Sequence, residues 1–176
     1  MTFTARLGRL LDSLPVKGLL VGLAASAALD EVSIALYEKE DRRTRWAENR
    51  ARRGRHAYER AVEQIAGLTG KSLSRRERQV YGWKFHQAFG VLGGLQYVAM
   101  RRRNPRVGAA MGLLFGAAFF LIADELMMPL LRWSPGPRAF SWKVHARGAA
   151  AHVAYGVAAE AAARLLDRVS GHPALA

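Results

Sequence analysis

From Val107 to Ala123 the chain runs 17 residues without a charge, and the next two residues are acids, Asp124 and Glu125. An apolar run of this length is close to the ~20 residues that carry a helix across a bilayer. "AAMGLLFGAAFFLIA" is apolar around its whole circumference, where a helix on a soluble core would show one polar face. The sequence therefore predicts a membrane helix over about 107–131 that carries two charges near one end.

Three further stretches have the composition of spanning helices, at about 18–37, 83–100 and 142–166. The first has 12 uncharged residues before Asp30 and Glu31. The fourth carries Arg147 near its start and Glu160 near its end. A soluble helical bundle, favoured by a near-zero mean hydropathy, is the alternative, but the charged 38–82 segment accounts for that average. The expected fold is all-α: a single membrane domain of four transmembrane helices.

Net charge is +13, with 27 Lys and Arg against 14 Asp and Glu. Fourteen of the basic residues fall between Lys39 and Lys84, and four more in "RRRNPR" at 101–106. Basic flanks beside apolar stretches suit a bilayer with anionic head groups. Nucleic acid is a poor partner for the 38–82 loop, because seven acids from Glu38 to Glu77 interrupt its basic residues. Within that loop Tyr58, Ala61, Val62, Ile65 and Leu68 recur at helical spacing and predict a short surface helix. "SRRE" at 74–77 has capping-box spacing, so Ser74 starts the helix that enters the second span. Pro105, Pro129, Pro135 and Pro137 punctuate the later connections. There is no cysteine, which excludes disulfides and thiolate chemistry. The first apolar stretch lacks a cleavage pattern and is expected to remain in the mature chain.

The two acid-bearing stretches resemble each other. "GLLVGLAASAALDE" at 18–31 and "GLLFGAAFFLIADE" at 112–125 share seven of fourteen residues. "HQAFGV" at 86–91 is matched by "HVAYGV" at 152–157. Each half then reads as an acid helix followed by a histidine helix. Two spans per half give parallel repeats, related by an axis along the membrane normal. Gly18 with Gly22, Gly90 with Gly94, and Gly112 with Gly116 are each four apart, and Gly108 extends the last run. Such small-residue stripes let helix backbones approach closely in lipid. At 100° per residue the acids lie opposite the glycines. The glycine face and the acidic face are therefore expected to meet different neighbours.

Antiparallel packing brings the acids and histidines to the same half of the bilayer. The expected polar cluster is Asp30, Glu31, His86, Asp124, Glu125, His145 and His152, with Tyr155 one turn beyond His152. It lies away from both termini. Charged side chains in a bilayer pair with one another or face a wet cavity. Three readings fit: a site that handles protons or ions, a scaffold whose polar groups tie helices together, and a metal site built from His and Asp or Glu, or a haem site with His86 and His152 as axial ligands. The E-x-x-H spacing of di-iron bundles is absent, as are G-x-S-x-G, H-E-x-x-H and P-loop motifs. An enzyme is the lesser expectation. No ligand set for a metal follows from these residues. His56 and His172 are expected to be solvated.

From about Ala57 to Leu166 the chain resembles the YagU-like family of bacterial inner-membrane proteins. "LTGKSLS", "HQAFG", "GLLFGAAFFLIADELMMP" and "HARGAAAHVAYGVAAEAAARLL" carry the resemblance. It implies a multi-pass inner-membrane protein and implies no reaction. The matching positions are His86, Asp124, Glu125, His145, His152 and Tyr155. The resemblance and "RRRNPR" put both termini in the cytoplasm, while the arginines of the long first connection argue the reverse. Homo-oligomers are compatible with the sequence.

Overall fold

The computed structural model describes residues 3–104 and 109–171. The described residues are helical, with no strand among them. In order they form α1 (Phe3–Asp12), α2 (Leu14–Lys39), α3 (Arg42–Arg52), α4 (Ala57–Gly67), α5 (Arg75–Arg103) and α6 (Ala109–Phe120). A π-helical segment (Leu121–Met127), a short α7 (Met128–Leu130) and α8 (Trp142–Val169) follow.

Each long helix starts where the local chemistry allows. Pro15 occupies the first turn of α2, where its missing N–H costs nothing. Ser74 and Glu77 form the reciprocal capping box that begins α5. The basic segment 38–82, expected to be a loop with one helix, contains two. The extra one is α3, whose N-terminus is capped by Asp41 accepting from the Thr44 amide at 2.8 Å.

The four long helical stretches form an antiparallel bundle in which α2 packs on α5 and α8, and α8 packs on α6. Glycine sets two of these crossings. Gly22 lies on Gly90 and Val91, and Gly94 lies on Gly18 and Gly22. Across the bundle Gly112 and Gly116 lie on Gly156, His152 and Val153. A β-carbon at these positions would meet the backbone of the facing helix, so only glycine permits the approach. Gly156 belongs to this set and Gly108 lies outside the described residues.

The middle of the bundle is apolar. Val21, Ala25, Tyr97, Val98, Met111, Tyr155, Ala159 and Ala163 are buried together, with Phe115 and Phe119 against them. Phe89 stacks on Phe119 with centroids 5.7 Å apart. This waist separates two polar layers. The layer at the α1 end is fully paired. Buried Lys17 meets Asp167 and Asp12, and Arg101 bridges Glu160 at 3.1 Å and Asp167 at 2.5 Å. Glu160 also accepts from Tyr97 and Arg164. The other layer is the candidate site.

Two helices, Leu14–Lys39 and Ala110–Leu130, are long and apolar enough to cross a membrane. Neither is a buried core helix, since most of each apolar window faces outward. Leu19, Leu20, Leu23, Leu113, Leu114, Leu121, Ile122 and Leu126 are all exposed. An apolar surface of that extent marks contact with lipid or a partner.

Candidate functional site

At the end of the bundle away from α1, a cavity of about 480 Å³ opens between α2, α5, the π segment and α8. Asp30, His86, Asp124, Glu125, His145 and His152 all line it. These six come from four elements, and each acid stands beside an imidazole. Asp30 Oδ1 is 2.9 Å from His86 Nε2. Glu125 Oε1 is 2.6 Å from His145 Nδ1. Asp124 Oδ2 is 3.9 Å from His152 Nδ1. Asp30 with His86 and Asp124 with His152 occupy matching places in the two similar halves of the sequence.

Hydrogen bonding fixes where several protons sit. A carbonyl only accepts. His152 Nδ1 is 2.9 Å from the Gly148 carbonyl, so Nδ1 carries hydrogen and donates there. Among the described residues nothing bonds to His152 Nε2 or to the Asp124 carboxylate. His145 Nε2 donates to the Pro137 carbonyl at 3.0 Å. The short contact between His145 Nδ1 and Glu125 therefore holds one shared proton, as imidazolium with carboxylate or as imidazole with carboxylic acid. His86 donates through Nε2 to Asp30, and its buried Nδ1 has no partner.

The π segment explains how two adjacent acids both reach the site. In a regular helix neighbouring residues diverge by 100°. Glu31 accordingly points away from Asp30's partner and is exposed, outside the cluster it was expected to join. The π turn bonds i to i+5 and rotates less per residue. Asp124 and Glu125, both within it, stay on the α8 side. Pro129 follows closely, and its ring would clash with the carbonyl of Glu125 in a regular helix. The wider turn makes room. The acidic stripes were expected to meet a helix other than the one the glycines meet, or a wet cavity: the acids do line the cavity, but Gly112, Gly116, Asp124 and Glu125 also all contact α8. On α2, Gly22 and Asp30 both contact α5.

Tyr155 also falls outside the cavity. It sits three residues beyond His152, about 4.5 Å further along the helix. There its hydroxyl donates to the Gly90 carbonyl at 2.5 Å, within the waist. It ties α8 to α5.

The part of the site that the sequence reading did not anticipate is its cover. Arg52, His56, Tyr58 and Glu59, from α3, α4 and the turn between them, line the cavity from above. His56 is exposed at the rim. The Tyr58 ring lies 4.6 Å from the His86 ring. Burial first, and then the charges of Asp124 and Asp30, push the Tyr58 phenol well above its ordinary value, so it stays un-ionised. The cover is latched to α8 by Arg147, which reaches Glu40 at 2.6 Å and Glu48 at 2.7 Å. Arg52 holds Glu48 at 2.9 Å. The i, i+4 spacing of Glu48 and Arg52 was visible in the sequence; the reach of Arg147, about 100 residues later, was not.

The latch has a pH dependence of definite sign. Burial alone would raise the Glu48 carboxyl, but the guanidiniums of Arg147 and Arg52 outweigh it and hold it below the ordinary glutamate value. A depressed carboxyl stabilises the folded state above its unfolded pKa, ~4.3 for glutamate, and that stabilisation disappears as pH falls through the folded value. Trp46 on α3 reports the cover. Its fluorescence is expected to hold steady from about pH 7 to about pH 5 and to change below about pH 4. In Glu48→Gln the acid transition attached to this latch is absent and the cover is already loosened at neutral pH. An unchanged acid transition in that variant would show that Glu48 does not govern the cover.

No group of three or more His, Asp or Glu side chains among the described residues is arranged to hold a metal ion. Comparison of the chain with known protein families, with curated proteins and with solved structures finds no match.

Proposed function

We propose that this is a multi-pass membrane protein in which four helices cross the bilayer as two repeated pairs. In this reading the acid and imidazole groups of the cavity bind and release protons. The observation that carries it is the meeting of three acid–imidazole pairs from four elements around one cavity. A side chain charged at the bilayer centre costs ~2.5–3.5 kcal/mol on insertion scales. Protons exchanged within pairs avoid that cost and can still be given up to a wet cavity.

The placement in a bilayer draws on several features. Lys17 and Asp30 are thirteen residues apart on α2, a rise of about 20 Å, which fits both polar layers within a ~30 Å hydrocarbon core. Exposed Leu92, Val157 and Leu165 continue the apolar belt onto α5 and α8. Exposed Trp46, Trp83 and Trp142 lie at the cavity end, as interfacial aromatics do. The resemblance to the YagU-like family favours a bacterial inner membrane. The aromatic waist blocks a straight water path, so uptake and release occur from the cavity side.

Infrared difference spectra of the protein in nanodiscs test this. A step from about pH 8 to about pH 5 crosses the ordinary histidine range. It is expected to produce protonated-carboxyl and imidazolium bands. Asp124→Asn and Glu125→Gln should each remove part of the carboxyl signal, and His152→Ala part of the imidazolium signal. A folded protein whose bands do not respond to the step would sink the proposal. Variants that lose melting stability while leaving the difference spectrum intact are the result expected of groups that only tie helices.

A further inference from the structure

The cavity holds more negative than positive charge, and its walls are partly apolar. Its carboxylates are Asp30, Glu59, Asp124 and Glu125, against the guanidiniums of Arg52 and Arg147. Both guanidiniums are already answered from behind the wall, by Glu40 and Glu48. The proton shared with His145 balances Glu125, and neutral imidazoles elsewhere leave Asp30, Glu59 and Asp124 short of positive charge. Asp124 is the most exposed to this deficit, since no donor among the described residues reaches its carboxylate.

A second observation is independent of the acids. The His152 side chain is 8% exposed, its Nδ1 is committed to a carbonyl, and its Nε2 lines the cavity without a partner in the protein. His86, which also lines the cavity, has a fully buried Nδ1 without a partner. Buried polar atoms are normally satisfied. His152 borders a partly open space of about 480 Å³, within the size range of small-molecule sites.

The apolar part of the wall decides the class of ligand. Tyr58, Phe120, Met128 and Val144 line the same cavity. A hydrated inorganic cation gains nothing from such walls. A cation with an apolar body gains from both, because aromatic faces attract cations and the carboxylates balance the charge. We propose that the cavity binds an organic ammonium ion, with its cationic head at Asp124 and its apolar part against Tyr58 and Phe120. The inference rests on the proton-binding reading of the same site and deepens it: cation and proton compete for the same carboxylates. One organic cation entering releases a proton from an acid–imidazole pair, and no bond other than that to the proton is made or broken.

Equilibrium dialysis of benzyltrimethylammonium against the protein in nanodiscs, corrected with empty nanodiscs, tests this. The probe carries a fixed charge, so any pH dependence belongs to the protein. Saturable binding is expected. It should weaken about tenfold for each pH unit below the histidine range if one proton is exchanged. Asp124→Asn should weaken it at least tenfold. Tyr58→Leu, outside the long helices, should weaken it several-fold and serves if Asp124→Asn does not fold. Glu31→Gln, at an exposed position, should leave it unchanged. Absence of binding overturns the proposal. So does binding insensitive to pH and to both cavity variants, or binding displaced equally well by sodium chloride, magnesium chloride or benzyl alcohol. The infrared titration is run without any organic cation. Proton bands that persist while dialysis fails remove the organic-cation proposal alone; silent bands remove the reading beneath it.

Discussion

Gly156→Leu is expected to leave no cooperatively folded bundle. A β-carbon at Gly156 meets the Gly112 carbonyl and the Gly116 amide nitrogen, both backbone atoms of α6. A flexible side chain could move aside, but helix backbone cannot. Inserting methylenes into a packed core typically costs ~1–3 kcal/mol, and more where the surroundings cannot adjust. Here the whole α6–α8 contact must separate, and with it the alignment of Asp124 and Glu125 against His152 and His145. Gly156→Ala should already lower the melting temperature clearly. Gly67→Ala is the control, because nothing lies within 4 Å of a β-carbon there; its effect should be small. Thermal melts followed by near-ultraviolet circular dichroism in detergent, with size-exclusion profiles, distinguish these outcomes. A Gly156→Leu protein that melts near the wild type would mean that this crossing does not hold the bundle.

Much of that architecture is legible in residue spacing. Gly18, Gly22, Gly90, Gly94, Gly112 and Gly116 announce close crossings because small residues four apart have few other uses on an apolar helix. The capping box at Ser74 is equally local. The α3 helix was hidden because "RRTRWAENRAR" has almost no apolar periodicity; what marks it is Asp41 as a cap and the Glu48–Arg52 pair. The cover over the site was hidden for a related reason. Tyr58 looked like one residue of an amphipathic surface helix, and a sequence does not say which bundle face such a helix will meet.

The site itself was legible in its residue types and less so in its angles. Matching acid and histidine motifs in the two halves brought Asp30, His86, Asp124, Glu125, His145 and His152 onto one list. Rotation at 100° per residue presumes a regular helix. The π turn before Pro129 breaks the presumption at Asp124 and Glu125, while α2 keeps it and turns Glu31 outward. Proline near an acid pair was the available signal. Tyr155 is close to His152 in sequence, but a rise of about 4.5 Å takes it out of the cavity and into the waist.

The second large effect concerns the polar layer at the α1 end, which separates a tie from a site. Lys17 is 4% exposed and Asp167 7%, and they face each other. None of the residues lining the cavity comes from this layer, and its charges are answered by one another. Breaking a buried pair by removing one partner costs ~3–5 kcal/mol, because an uncompensated charge remains. Asp167→Leu takes a partner from two cations at once, leaving Lys17 with Asp12 and Arg101 with Glu160, and is expected to destabilise the protein by about 3 kcal/mol; the loss is smaller for Lys17→Met, which leaves Asp167 still held by Arg101. The double variant removes both charges and replaces them with apolar volume, a change that is often neutral or stabilising. It should be more stable than Asp167→Leu alone, with a coupling of about 1–3 kcal/mol in a double-mutant cycle. Additive losses would show that the two side chains do not act as a pair. The contrast with the cavity layer is chemical. Saturated charges with no space between them can only hold helices together, and Lys17→Met with Asp167→Leu should leave the pH-induced infrared bands of the other end unchanged. An apolar replacement of Asp124 and His152 should remove those bands even where the fold survives.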